Sequence, residues 1–350
     1  MTLRPTHAAL LLSAALLAGC ATQKPAATAA APAAEPSYDQ TEPLGAGMEG
    51  WVYPHPVQHL QFELEGKLVR MAYMDVKPTA PANGQTVVLF HGKNFGSDYW
   101  ANTLQALPAR GYRVVAVDQI GFGKSSKPEI RYTFAMLADN TVKVLDHLKV
   151  GRVSIVANSM GGMLGVHFAR RHPDRVAALV LENPLGLEDY VPAIPPQQTA
   201  NLTRLEMAQT TTSYRAFIKS YFKDNYRPEF ERFVEQFSRV QRSPEYPRYA
   251  HVSALTYQMI YEGPTYNELP QLKVPVLLAI GQLDRTVFGR RFAPPEAVKN
   301  LGNYPQLGKD AQKRIPGAKL VEFDKVGHVP HLEAPERFHA AVLEFLADKR

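Results

Sequence analysis

Cysteine is almost missing from this 350-residue chain, which has one, Cys20. A single thiol excludes an internal disulfide framework and any cysteine-clustered zinc or iron–sulfur site. The apolar stretch Ala8–Ala18, broken by Ser13, is too short at about 1.5 Å per residue to cross a bilayer core of about 30 Å. Basic runs are missing too. The formal charge of +6 comes from 39 Lys and Arg against 33 Asp and Glu scattered along the chain, which reads as a solvated surface and gives no nucleic-acid footprint. The 11 histidines are dispersed and form no HExxH pairing, so no metal site is expected. There is no internal repeat. What remains is 45% hydrophobic and 21% charged, the composition of a globular domain.

The start of the chain reads as an address. Arg4 and the apolar run behind it suit a signal peptide over residues 1–19. The run ends in Leu17-Ala18-Gly19-Cys20, which resembles the lipobox of bacterial lipoproteins. That resemblance implies lipidation of Cys20 as the first mature residue, hence a membrane anchor in a bacterial cell envelope. Ala21 behind it implies sorting to the outer membrane, facing the periplasm. The alternative is an ordinary secretory signal with an incidental cysteine. Residues 20–45 are rich in Ala and Pro and are expected to be a tether. Gly45-Ala46-Gly47-Met48-Glu49-Gly50 matches GxGxxG, but it follows the tether and runs into Pro54 and Pro56. A dinucleotide fingerprint needs a strand before it and a helix after it, so no cofactor is read from it.

Beyond the tether, alternating patterns at Val57–Leu64 and Leu68–Val76 predict two antiparallel strands turning at Glu65-Gly66. Short apolar runs at 86–90, 112–117, 152–157, 177–181, 274–280 and 319–323 predict buried strands. Helical spacing fills 99–109, 134–148, 160–171 and 335–347. Strands alternating with helices imply an α/β fold, a mostly parallel eight-stranded sheet flanked by helices. The alternation stops at Asn183-Pro184 and resumes near residue 274. The core is therefore expected over 46–184 and 272–350. Residues 185–271 are expected to form a helical cap, with helices at 201–209, 214–222 and 229–239.

Chemistry concentrates at strand ends. Val153 to Gly162 reads strand, then Asn158-Ser159-Met160, then helix, with small residues Ala157 and Gly161 at −2 and +2 from the serine. So tight a turn holds the serine in a strained conformation beside a helix N-terminus, whose dipole favours developing negative charge. Two further strand ends carry Gly281-Gln282-Leu283-Asp284 and Gly327-His328, the latter followed by Glu333, Pro335 and Phe338. Phe90-His91-Gly92-Lys93-Asn94-Phe95-Gly96 and Asp118 to Pro128 each follow a buried strand as well. Taken in this order, the segments resemble the α/β-hydrolase superfamily, with Ala157 in place of the usual first glycine of the elbow.

The resemblance implies a serine hydrolase with Ser159 as nucleophile, His328 as base and Asp284 as its orienter. It implies an oxyanion hole from the backbone N–H groups of Lys93 and Met160, and no cofactor. His331 is the alternative base and Glu182 the alternative acid. His91 and Asp118 are expected to be structural. The Lys93 side chain is either a solvated surface cation or a cation near the cleft that favours acidic substrates. Leu185, Leu187, Tyr190, Tyr214, Phe217, Tyr221, Tyr257 and Tyr261 are candidates for the cap wall of an acyl pocket. A serine rather than an aspartate at the elbow argues against epoxide opening and halide displacement. A small-molecule carboxylic ester is the first expectation for substrate. A carbon–carbon bond hydrolase of the meta-cleavage type is the runner-up, because the elbow looks alike, although Lys93-Asn94-Phe95 stands where such proteins usually have further glycines. A non-catalytic binding protein on the same fold is the third reading.

Overall fold

The computed structural model describes residues 35–347 and 349. The signal segment, Cys20 and most of the expected tether lie outside the described residues.

Eight strands form one sheet: β1 (Gln58–Leu64), β2 (Lys67–Val76), β3 (Thr86–Phe90), β4 (Arg113–Val117), β5 (Val153–Asn158), β6 (Val176–Glu182), β7 (Val276–Gly281) and β8 (Lys319–Phe323). Their order is β1-β2-β4-β3-β5-β6-β7-β8. The pairs β1–β2 and β2–β4 are antiparallel and the rest are parallel. The central strands β3 to β7 form because each is a short, mostly apolar run covered on both faces, whereas the edge strands β1 and β8 are partly exposed, and successive side chains leave in opposite directions. In β3, Val88 and Phe90 enter one hydrophobic core while Val87 and Leu89 enter the other; in β4, Val115 and Val117 part from Val114 and Ala116 in the same way.

Helices α1 (Ala101–Ala106) and α11 (Pro335–Leu346) supply Leu104, Phe338 and Val342 to one core. Helices α2 (Phe134–His147), α3 (Met160–Arg171) and α9 (Tyr304–Arg314) supply Leu137, Leu164 and Ala311 to the other. Two short helices, α8 (Pro295–Val298) and α10 (Pro330–Glu333), lie in the loops after β7 and β8. Between β6 and β7 come α4 (Thr199–Met207), α5 (Thr211–Phe222), α6 (Glu231–Gln241) and α7 (Tyr246–Glu262). The apolar faces of α5, α6 and α7 extend the cores: Val252, Met259 and Ile260 join one, and Ile218, Phe222, Phe233 and Val240 join the other. Accordingly Ser37–Arg350 is one compact unit.

Packing begins before residue 46, the expected start of the core. The Leu44 N–H donates to the Arg239 carbonyl, the Tyr38 hydroxyl to Glu231, and Leu44 and Met48 are buried. Leu44 is a large apolar side chain at the end of an Ala/Pro-rich stretch, and it settles with Val240 in the same core. Among the described residues no helix is long and apolar enough to cross a membrane.

Candidate active site

Ser159 sits between β5 and α3 at φ 57°, ψ −122°, a left-handed setting that costs a side-chain-bearing residue about 1–3 kcal/mol. The surroundings hold it there. Its N–H donates to the Glu182 carbonyl at 3.1 Å, and its own carbonyl accepts from Gly162 and Leu185. The elbow fits only because Gly161 lacks a side chain. A Cβ there would lie 2.4 Å from the Phe90 oxygen and 2.8 Å from the His91 oxygen. Helix α3 thus presses directly on the end of β3 and the loop that leaves it. That loop is equally close from its own side, since a Cβ at Gly92 would lie 3.3 Å from the Ser159 Cβ.

His328 and Asp284 come together at the ends of β8 and β7. His328 Nδ1 and Asp284 Oδ2 are 2.6 Å apart and both side chains are buried. Burial alone would raise the Asp284 carboxyl. The charge and hydrogen bond of His328, with Thr286 and Asn183, outweigh it and hold the group below the ordinary carboxylate range. Asn183 Nδ2 donates to Asp284 Oδ2 at 2.6 Å, while Asn183 Oδ1 accepts from the Gly281 N–H at 2.8 Å. The Thr286 N–H donates to Asp284 Oδ1, and its hydroxyl lies 3.2 Å from His328 Nδ1. A Cβ at Gly281 would lie 1.9 Å from the Gly327 oxygen, so the two loops meet backbone to backbone. With Nδ1 committed to the carboxylate, His328 Nε2 is buried and makes no hydrogen bond to another described protein group.

The two alternatives from the sequence, His331 and Glu182, pair with each other. His331 Nδ1 is 2.8 Å from Glu182 Oε2, the His331 N–H donates to Oε1 at 2.6 Å, and both side chains are fully buried. The His331 ring stacks on Trp100 at 3.9 Å. This pair pins α10 to the end of β6. His91 is committed as well: Nε2 accepts from the Gln119 N–H, so the Nδ1–H donates to the Gly92 carbonyl. An accepting Nε2 requires a neutral ring, and burial acts in the same direction by lowering its pKa. Asp118 accepts from the Tyr53 hydroxyl and from the N–H groups of Ser97 and Lys124, fixing three loops.

Lys93 is neither solvated nor a free cleft cation. Its Nζ donates to Ser253 Oγ at 2.8 Å and lies 3.8 Å from Glu206 Oε1, so it reaches α7 and α4. Burial lowers its pKa, with Glu206 opposing. The backbone N–H groups of Lys93 and of Met160, the first residue of α3, donate to no described protein group. Of the candidate wall residues, Tyr214 stacks on Phe237, and Tyr190 and Tyr257 pack on Phe288. Tyr221 lies against His328 instead, with ring centroids 4.4 Å apart. Asn183 and Thr286 were not legible as site residues, and Tyr221, read from the sequence as a pocket-wall candidate, borders the histidine. The one local signal was the Asn-Pro pair ending β6, where Asn183 takes φ 38°.

A family model described as alpha/beta hydrolase fold matches residues 85–335. Among solved structures, one described as a probable hydrolytic enzyme from Pseudomonas aeruginosa PAO1 is 44% identical with a TM-score of 0.85, covering 87% of this chain and 98% of its own. Curated relatives include a 2-hydroxy-6-oxo-6-(2'-aminophenyl)hexa-2,4-dienoic acid hydrolase of Metapseudomonas resinovorans, 28% identical over 80% of this chain and 90% of its own length. A 2-hydroxy-6-oxononadienedioate/2-hydroxy-6-oxononatrienedioate hydrolase of Burkholderia vietnamiensis is 29% identical over 81% and 92%.

Proposed function

Starting from a chain that belongs to the alpha/beta hydrolase fold family, we propose that it is a serine hydrolase of small carboxylic esters. The observation that carries this reading is the buried His328–Asp284 pair with its second ring nitrogen uncommitted, on a loop whose His328 carbonyl accepts from Asn158 Nδ2 at 3.1 Å, the residue before a serine held in a left-handed elbow. His328 Nε2 takes the Ser159 Oγ proton as the oxygen attacks the substrate carbonyl carbon. Asp284 keeps the Nδ1–H pointed at itself, fixing the tautomer that leaves Nε2 basic, and stabilises the imidazolium. The negative charge on the carbonyl oxygen is met by the N–H groups of Lys93 and Met160. A lost donor in comparable sites costs about 3 kcal/mol. Collapse breaks the ester C–O bond, and the imidazolium hands its proton to the departing alkoxide oxygen. Water, deprotonated by the same nitrogen, then attacks the acyl carbon. The carboxylic acid leaves and the Ser159 hydroxyl is restored.

A second reading has its own support. The curated relatives named above are hydrolases of 2-hydroxy-6-oxo-dienoates, and Asn158-Ser159-Met160-Gly161-Gly162 resembles the elbow of carbon–carbon hydrolases. The test sets p-nitrophenyl acetate and butyrate against a 2-hydroxy-6-oxo-dienoate, using the purified full-length chain. Ester turnover that falls about 10³-fold or more in Ser159→Ala is the expected result. Turnover of the dienoate alone would replace the ester reading, and turnover of neither by the wild type would remove both. Placement in the cell envelope through Cys20 is part of the same proposal. A mature chain that keeps its first 19 residues and an unmodified Cys20 by mass spectrometry would end it.

A further inference from the structure

One cap side chain touches two parts of the proposed machinery. Tyr221, in the last turn of α5, accepts the His328 N–H on its backbone carbonyl at 2.8 Å. Its ring lies 4.4 Å from the His328 ring at an interplanar angle of 32°. Its hydroxyl oxygen accepts from Asn94 Nδ2 at 3.0 Å. Asn94 follows Lys93 in the loop after β3, and the same helix grips that loop again where the Tyr214 hydroxyl donates to the Asn94 carbonyl at 3.3 Å. The Lys93 ammonium adds a third tie, to Ser253 in α7. The backbone N–H of Lys93 and the imidazole of His328 must sit on opposite sides of one reacting carbon. Each belongs to a loop, and loops are the least constrained parts of a fold.

We infer that Tyr221 is a positioning residue, through which the cap sets the Asn94 loop and the His328 loop in register with each other. The inference rests on reading Ser159 as the nucleophile. The backbone carbonyl fixes the histidine loop, the ring face sets the imidazole plane, and the hydroxyl fixes the loop that carries the Lys93 N–H. Tyr221 touches no reacting atom in this scheme. Its effect is on the geometry of the groups that do, and displacements of about 1 Å at such groups cost about 10²-fold in rate.

The test is covalent labelling of Ser159 in the full-length chain by a fluorophosphonate, which needs the nucleophile, base and oxyanion donors but no knowledge of the natural ester. The maximal inactivation rate is separated from the probe's binding constant. Tyr221→Phe keeps the ring and carbonyl and loses only the bond to Asn94, so labelling slows about fivefold. Asn94→Ala slows it by the same factor, and the double variant slows no further than either alone, because both remove one bond. Tyr221→Leu, which also removes the ring, slows labelling about 50-fold. In all four the binding constant stays within about twofold and the melting temperature within a few degrees. Labelling at the wild-type rate in Tyr221→Leu, or slowing that matches the unfolded fraction, would overturn the inference and leave Ser159 as nucleophile. A wild-type chain that takes no label would remove the nucleophile reading, and the inference falls with it.

Discussion

Replacing Gly161 by alanine adds one methyl group at the point where α3 crosses the end of β3. That carbon would sit 2.4 Å from the Phe90 oxygen, 2.7 Å from its carbonyl carbon and 2.8 Å from the His91 oxygen. Ordinary contact begins near 3.4 Å, so the methyl is about 1 Å too close, and to backbone rather than to a side-chain end. Phe90 is buried in a central strand paired on both sides. The relief must therefore come from the elbow or from the loop that begins at His91, both of which carry proposed catalytic groups. A shift of about 1 Å there predicts a fall of about 10²-fold in kcat/KM, with about 1–3 kcal/mol lost from overpacking. Gly165, one turn further along α3, is the control. Its added carbon would lie 2.8 Å from Leu179 Cδ1, the end of a flexible side chain that can turn aside. Gly165→Ala should keep kcat/KM within about threefold. The assay is steady-state ester hydrolysis by folded protein, with melting curves beside it. Equal activities for Gly161→Ala and wild type would refute the claim that this contact sets the serine's position.

Asp284→Asn should lower kcat by about 10³–10⁴-fold with KM little changed, because the amide no longer fixes the His328 tautomer; less than a tenfold loss in steady-state rates would remove its orienting role. His331→Leu strands the Glu182 carboxylate in the core, so the expected loss is about 3–5 kcal/mol of stability in denaturant melts, with Ser159 labelling per folded molecule retained. Labelling abolished in folded His331→Leu would instead make it the base. Burial pushes the Glu188 carboxyl up to about 7, against the pull of the Gly302 N–H. Between its ordinary pKa of 4.5 and 7 the folded state holds the proton that the unfolded chain has released, so this group's contribution to stability is complete at low pH and lost as pH rises. Glu188→Gln should therefore flatten the decline in melting temperature between pH 5 and 8; an unchanged slope would contradict the assignment.

What the sequence could and could not announce follows from how far each interaction reaches along the chain. The strands were legible because a central strand must be apolar on both faces, and the helix behind Ser159 runs over Met160–Arg171 as its spacing predicts. The helix expected over 99–109 is broken into α1 flanked by two 3₁₀ turns, Ser97–Trp100 and Pro108–Arg110, since Pro108 cannot donate to the ladder. Helix α7 was not singled out; it carries Pro247 in its first turn, where a missing N–H costs nothing. Ser159, Asp284 and His328 each stand in a short motif at a strand end. Asn183 reaches Asp284 across 101 residues and Tyr221 reaches Asn94 across 127, and no local pattern announces these pairings. The Glu182–His331 pair spans 149 residues. Read separately, its two members looked like rival catalytic groups, and only the fold shows them paired through His331 Nδ1, with His331 Nε2 making no hydrogen bond to another described protein group.

The grip of α5 on the Asn94 loop bears on how this protein could diversify. In a hydrolase whose cap only walls the substrate, residues 185–271 could be exchanged for a foreign cap and the product would inherit a new preference. Here exchanging those residues would also discard Tyr214 and Tyr221, and with them two hydrogen bonds to Asn94, taking away supports that the recipient core does not encode. New specificities would therefore have to arise by piecemeal substitution around a retained α5, and a chimera built at residues 185 and 271 would need those two tyrosines grafted back before its pocket could be judged.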